Sequence, residues 1–510
     1  MRSAAAAALA ALVLACTTGA VPSARAEPGG TALPPVGAPD VVILILDEYP
    51  ADNMLGPDGR VDAFRFPAFA ALAGRSTWFP NASASSPWTS TALPSILTGQ
   101  RLPPSAPDRG GYPGPSLYVM LDAAGYSMVD GEETTQLCPA RLCARRDIRP
   151  PACRVHNCVF IGPGRVARFR RWLATIRPRR RPTLWVKHLL LPHRPWIYLH
   201  SGLRTQSSRR LKGPIRGMNR LGGPRSRFLR LHNYQRHLLQ LQFADRLVGR
   251  LTDRLMQRGM LRNTLLVVTG DHGYSFIGHR EQHRDLTLAN VHQIAPVPLF
   301  VKAPGQKSGG LDTAYASNLD VAATVADLLG LRLGYHSDGA SVFSSEVRLR
   351  QNASLPEELG IPASRYEDRR AASRNQRLRL FGFGRHGFWD GIGPNRQLVG
   401  RHVSRLVRGQ PSRRRARFVA AHRLRAVRRS SGLLPIHIAG DLPAGRRQGP
   451  RRLALAVNGR IEAVGRSFHV AGAIDHFAFL VPPKALREGR NRVLLFDVGR
   501  AAVLHRLGSV

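Results

Sequence analysis

The chain has 510 residues, is 43% apolar and 21% charged, and carries a formal net charge of +42, nearly all from arginine. That apolar content excludes wholesale disorder, and the length exceeds what one compact core usually serves, so two or three domains are expected. The charge reads either as a generic basic surface or as an attraction for an anionic partner such as an acidic glycan or lipid headgroup; no specific nucleic-acid partner is predicted.

At the start of the chain, Arg2 precedes an apolar run, Ala4 to Ala15, and Ala24-Arg25-Ala26 offers an A-x-A cleavage site before Glu27. This predicts a cleaved signal peptide over residues 1–26 and a secreted or cell-envelope-associated protein. An uncleaved anchor and a lipobox ending at Cys16 are the alternatives; the run is short for a span, and Leu14 stands where a lipobox usually has a smaller residue. No later stretch is long and apolar enough to cross a membrane, so no transmembrane helix is expected in the mature chain.

Residues 27–40 form a Pro/Gly linker. Val41 to Leu46 (VVILIL) is a continuous apolar run of strand length, suited to a strand buried on both faces, and ends in Asp47-Glu48. Helices are predicted over Phe66–Ala73 and Leu117–Ala124, each stopped by glycine. Cys138, Cys143, Cys153 and Cys158 share one Pro- and Arg-rich loop. In an exported chain they read as two disulfides; with His156 nearby, zinc is the other reading.

Thr183 to Leu191 is a second strand candidate, leading into Pro192-His193-Arg194-Pro195-Trp196. The run Arg177 to Arg181 reads as a solvated face and Ser201 to Arg230 as an exposed loop. His237 to Arg258 has the apolar stripe of an amphipathic helix, with Asp245 expected as a helix-surface partner. Leu265 to Thr269 is a third buried strand, ending in Gly270-Asp271-His272-Gly273, and Pro298 to Val301 a fourth. Strands alternating with helices predict an α/β fold with a mostly parallel sheet flanked by helices, over residues 41–400. An Arg-rich connector (401–432) then leads to short strands with turns, read as a small C-terminal β-sandwich over 433–510, with Asn458-Gly459 as a hairpin turn.

Asp47, Glu48, Asp271 and His272 all sit at the carboxyl ends of predicted strands, where open α/β sheets bind ligands. Carboxylates with an imidazole suit Mn, Zn, Mg or Ca, and such a cation can neutralise the charge that develops during phosphoryl or sulfuryl transfer.

At these residues the chain resembles the sulfatase and alkaline phosphatase superfamily. VVILILDEYP looks like its first metal-binding segment and LLVVTGDHG like its second. SPWTSTALPSILTGQ lines up without gaps on the nucleophile segment and puts Thr89 at the nucleophile position. PVPLFVKAPGQ and KHLLLPHRPW also match, the latter placing His193 on the H-x-P segment that contacts the anion. The resemblance spans about Val41 to Gln306 and implies an alkaline-phosphatase-like fold.

It further implies Thr89 as catalytic nucleophile and one or two divalent ions, Mn or Zn favoured over Ca or Mg, held by Asp47, Glu48, Thr89, Asp271 and His272. His193, His188, His279 and His283 are the substrate-side candidates. Sulfatases mature a Cys or Ser in a C-x-P-S-R motif to formylglycine. Here Thr89-Ser90-Thr91-Ala92-Leu93 has neither Cys nor Arg. The set is similar to that of lipoteichoic acid synthases and phosphoethanolamine transferases, which work through phospho-threonine, although this chain lacks their membrane helices.

Each residue also has a plainer role open to it: Asp47 and Glu48 as turn caps, Thr89 as one of several loop threonines, His188 and His193 as supports of a Pro-rich loop. The expected function is therefore an exported, metal-dependent hydrolase or phosphotransferase cleaving phosphodiesters of cell-envelope glycans or lipids. The alternatives are a sulfuric ester hydrolase and, in another class, an inactive polyanion- or glycan-binding scaffold. Retention of Asp47, Thr89, Asp271 and His272 together favours an active enzyme over the last.

Overall fold

The computed structural model describes residues 37–102, 114–135, 137–143, 164–206, 214–215, 218, 226–277, 285–355, 361–385, 388–389, 392–412, 415–442, 449–470 and 475–510. The expected signal peptide with Cys16, and Cys153, Cys158, His279 and His283, lie outside the described residues.

The apolar run after the linker is strand β1 (Asp40–Asp47). The next strands in the chain are β2 (Thr77–Trp78), β3 (Ser127–Gly131), β4 (Thr183–Pro192), β5 (Thr264–Gly270), β6 (Leu299–Lys302) and β7 (Gly310–Leu311). They form one seven-stranded sheet in the order β3-β4-β1-β5-β6-β2-β7. The pairs β3–β4, β4–β1 and β1–β5 are parallel, and β6 runs antiparallel to β5.

Because side chains alternate across a strand, β1 serves two cores. Val42, Leu44 and Leu46 enter one and Val41, Ile43 and Ile45 the other, all fully buried. Each such side chain contributes roughly 1.5–3 kcal/mol on burial, which is why an unbroken VVILIL, rather than an alternating pattern, marks the central strand.

The longer helices are α1 (Pro67–Ala73), α2 (Thr89–Thr98), α3 (Leu117–Ala123), α4 (Arg165–Ala174), α5 (Arg227–Gln257), α6 (Val321–Leu328) and α7 (Ala363–Phe381). Phe69 of α1, Phe169 of α4 and Leu241 of α5 pack into the core on one face of the sheet. Leu93 of α2, Leu117 of α3 and Val325 of α6 pack into the core on the other. The arrangement is the expected mostly parallel, helix-flanked α/β sheet.

Two expectations are corrected on α5. The helix begins at Arg227, capped by the Ser226 side chain on Leu229 N, so Arg227 to Arg230 are helical rather than loop. Its first turns bury polar side chains: Arg236 donates to Trp196 O (3.0 Å), and the His232 and His437 rings meet Nε2 to Nε2 at 3.0 Å. Polar residues at buried positions break the apolar stripe, which hid this half of the helix. Asp245 is not on the surface either. It is fully buried and accepts the amides of Ala68 and Phe69 at the start of α1, and burial pushes its carboxyl up to about 7.

Beyond residue 400 the strands are β8 (Arg417–Phe418), β9 (His437–Leu442), β10 (Arg452–Val457), β11 (Arg460–Arg466), β12 (Asp475–Leu480), β13 (Val493–Val498) and β14 (Leu504–Ser509). They make two antiparallel sheets, β12-β9-β8 and β11-β10-β13-β14. Asn458 (φ 50°) and Gly459 (φ 89°) form the two-residue turn between β10 and β11, as a right-twisted hairpin requires. Leu453 and Leu455 of β10 share a core with Phe477 and Phe479 of β12, and that same cluster continues to Leu238 of α5 and Val42 of β1. Cys138 and Cys143 are disulfide-bonded. No helix among the described residues is long and apolar enough to cross a membrane.

Burial, and then the nearby Arg236, pushes the His232 and His437 rings well below 6.5, so the folded protein holds both neutral. The unfolded chain binds protons there below about pH 6.5, and stability is lost as pH falls through that value. The thermal midpoint is expected to drop between pH 7.5 and pH 5.5, and to drop less in His437→Gln. An equal drop in both proteins would show that the pair does not drive it.

Candidate active site

The site forms where β1, β4 and β5 end together. The register pairs Leu46 with Gly270 and Asp47 with Pro192, so Asp47, His193 and Asp271 emerge at one edge of the sheet. The chain then turns sharply at Glu48, which sits in the left-handed region (φ 62°), a strained conformation for a residue other than glycine. Two contacts hold it there. Glu48 N donates to Asp271 Oδ1 (3.0 Å), and His237 Nε2 donates to Glu48 O (3.1 Å). Burial pushes the His237 pKa down to about 4, so its ring stays neutral.

Asp271 Oδ1 also accepts the His272 amide (2.6 Å). With Oδ1 committed to two amides, Oδ2 faces inward, 3.5 Å from His272 Nε2 and 4.0 Å from His188 Nε2. Gly273 lets this turn pass close to its neighbours, since a Cβ there would lie 2.2 Å from Gln293 O.

Among the described residues, two groups of side chains could hold a metal ion, each with ligand atoms within 4.8 Å of one another: Asp47, His188 and Asp271, and Asp47, Glu48 and His193. All three carboxylates are 0% exposed. Like charges converging in a dry space are costly unless a cation joins them, and Asp271 Oδ2 and His188 Nε2 have no hydrogen-bond partner among the described residues. Buried carboxylate oxygens with imidazole nitrogens fit a divalent cation.

Thr89 is the first residue of α2 and is almost fully buried, at the positive end of the helix dipole. Its Oγ1 lies 3.2 Å from His272 Nε2. His272 Nδ1 is 2.7 Å from Gly273 O, which can only accept, so Nδ1 carries a proton and Nε2 is the nitrogen that faces Thr89. Similarly, His193 Nδ1 donates to Arg194 O (2.7 Å), leaving Nε2 facing Glu48 Oε1 at 3.5 Å.

The structure thus brings together Asp47, Glu48, Thr89, Asp271, His272, His193 and His188. His188 falls among the carboxylates rather than on the outer side of the site.

Sequence reasoning missed the residues that hold these in place. Arg165 and Gln240 both donate to His193 O, at 2.6 and 2.9 Å, fixing the Pro-rich loop. Asn318 donates to Gly270 O and Asp271 O (3.0 Å each) and accepts the Ser85 amide (2.8 Å), joining the end of β5 to the segment before Thr89. No local pattern marks such residues. A fully buried Asn before a helix is visible only once its partners are in place.

Asn318→Ala leaves buried carbonyls and an amide unsatisfied, at a cost of about 1–3 kcal/mol for each group not rescued by water. The expected outcome is a lower thermal midpoint together with weaker turnover. Wild-type values for both would show that the joint is dispensable.

Residues 39–331, more than half of the chain, match the profile of the sulfatase family. The choline-sulfatase of Rhizobium meliloti (strain 1021) is 26% identical over 358 residues, covering 58% of this chain and 69% of that protein. Arylsulfatase K of Bos taurus is 26% identical over 109 residues, 21% of this chain, so the match spans 20% of that relative. Among solved structures, BT4656 in complex with its substrate D-glucosamine-2-N,6-O-disulfate aligns over 60% of this chain and 79% of its own, at 16% identity and a TM-score of 0.44. The phosphonate monoester hydrolase of Agrobacterium radiobacter aligns over 60% and 76%, also at 16% identity and 0.44. The matched segment carries the strand ends, Thr89 and the buried carboxylates described above, and the chain belongs to the sulfatase family of ester hydrolases.

Proposed function

We propose that the protein is an exported, metal-dependent hydrolase or transferase that cleaves phosphodiesters of cell-envelope glycans or lipids, with Thr89 as nucleophile. One observation carries this reading: the Thr89 hydroxyl faces His272 Nε2 at 3.2 Å, beside the buried carboxylates; the motif resemblance assigns Thr89 the place of a sulfatase's formylglycine precursor. Threonine cannot become formylglycine, but its hydroxyl can attack phosphorus. Asp47, Glu48, Asp271 and His272, with Thr89 itself, would hold the divalent cation; carboxylates with an imidazole suit Mn, Zn, Mg or Ca, and the resemblance favours Mn or Zn. When bound, the cation supplies charge neutralisation and lowers the pKa of a coordinated hydroxyl.

The chain's own groups then have defined tasks. Asp271 Oδ1 fixes the turns, and its Oδ2 reaches the cation space. Thr89, its hydroxyl proton lost to solvent, bonds through Oγ1 to phosphorus as the ester P–O bond opposite it breaks. His193, with Nδ1 bonded to Arg194 O, must also carry a proton on Nε2, where it faces Glu48, and hands that proton to the departing oxygen. Water, or an acceptor alcohol, then cleaves the phospho-threonine and returns the hydroxyl. No residue assigned to the site comes from beyond Asn318, in keeping with a division into a catalytic body (41–400) and a C-terminal β-rich unit (433–510).

The names of the relatives favour a second reading, a sulfate ester as substrate, since the choline-sulfatase and arylsulfatase K are both sulfatases. Purified mature chain assayed with Mn, Zn and Ca on an aryl phosphodiester, an aryl phosphomonoester and an aryl sulfate separates the two. Thr89→Ala is expected to lose turnover by roughly a thousandfold or more while keeping its metal. Thr89→Ser should keep part of the activity, and Asp271→Ala should lose metal and activity together. Wild-type turnover in Thr89→Ala, or sulfate cleavage much faster than phosphodiester cleavage, would overturn the mechanism.

Export predicts a mature N-terminus near Glu27. N-terminal sequencing that finds Met1 intact on soluble cytoplasmic protein would exclude it.

A further inference from the structure

We infer that His188, from within strand β4, is a ligand of the cation, and that Glu132 positions its ring. The inference rests on the reading that the carboxylate cluster holds a metal, and it adds a coordinating side chain and a support behind it.

The strand explains why the position is unusual. Leu184 and Val186 point into the core on the α2 face of the sheet, and His188 continues that same alternation, paired in register with Ile45. An apolar residue would pack there without cost, whereas a fully buried imidazole must be stripped of water. Its Nε2 lies 3.7 Å from Asp47 Oδ2 and 4.0 Å from Asp271 Oδ2. These separations are too long for hydrogen bonds, and Nε2 makes none to the described residues. They do suit atoms arranged around a shared ion, because ligands about 2.0–2.2 Å from a metal stand up to about 4 Å apart across it.

The other ring nitrogen supports the same assignment. Nδ1 faces Glu132 Oε1 at 3.6 Å and Thr134 Oγ1 at 3.5 Å. The Glu132 carboxylate is itself anchored, accepting from Thr135 N (2.6 Å) and from Thr134 N and Oγ1 (2.5 and 2.7 Å). At 3.6 Å the Glu132 carboxylate stands just outside hydrogen-bond distance behind the distal nitrogen; closing that gap as the ring turns to a cation would fix the tautomer and make the facing nitrogen a better donor to metal. Glu132 is 2% exposed, so this carboxylate is not a surface charge that happens to lie nearby.

The test uses the full mature chain stripped of metal with chelator, then titrated with Zn or Mn by calorimetry, with bound ion counted by mass spectrometry. Wild type, His188→Gln, Glu132→Gln and Asp271→Asn are compared, and the thermal midpoints of the metal-free forms report folding. Zn affinity should fall by more than about tenfold in His188→Gln and by about 10- to 100-fold in Glu132→Gln. Wild-type affinity in His188→Gln would overturn the inference and leave His188 as a buried core residue. Wild-type affinity in Asp271→Asn would instead overturn the underlying metal reading.

A second measurement covers the case in which His188→Gln does not fold. In Co-loaded protein each imidazole ligand gives one paramagnetically shifted N–H resonance. Glu132→Gln keeps His188 in place, and it should move one of these resonances and leave the others. If none moves, Glu132 does not stand behind a ligand and the inference fails.

Discussion

The site depends on how the Asp271 carboxylate divides its two oxygens. Oδ1 accepts the amides of Glu48 and His272, so a single atom pins the turn after β1 to the turn after β5. Oδ2 is thereby aimed into the space shared with Asp47 and His188. Without those two hydrogen bonds, Glu48 would have little reason to hold a left-handed backbone, and the Asp47-Glu48 pair would not present both carboxylates to one place. The parallel register of β1 and β5 brings these groups within reach, and the buried hydrogen bonds set the final geometry.

The sheet and its strand ends were legible in the sequence because burial on both faces leaves an unbroken apolar signature. Val41 to Leu46 and Leu265 to Thr269 carry it, and each stops shortly before a carboxylate of the candidate site. The candidacy of Thr89 rests on resemblance alone, since nothing in its own neighbourhood distinguishes it from Thr91, whose hydroxyl bonds Ser86 and Trp88 O. What escaped was long-range. Asn318, Arg165, Gln240 and His237 act on backbone atoms far away in the chain. A one-dimensional pattern records a residue's periodicity, not the carbonyl it will meet.

Helix α5 shows the same limit in another form. Its second half follows the amphipathic rule because it lies on the sheet with aliphatic contacts. Its first half replaces them with Asn233, Arg236 and His232, each hydrogen-bonded within buried surroundings. Polar burial of this kind gives up periodicity for directional contacts, and α5 thereby meets both the Pro-rich loop and the C-terminal strands.

That helix also makes a rigid member of the molecule. His232 touches β9, and five residues later His237 holds the Glu48 carbonyl, so little more than one helical turn separates the C-terminal sheets from the strained corner of the site. The two ends cannot be displaced independently without breaking helical hydrogen bonds. The C-terminal strands are in this sense a buttress: by bearing on α5 they stiffen the backbone corner at Glu48, and the fit of the carboxylates in the candidate site is set partly by packing on the far side of the helix.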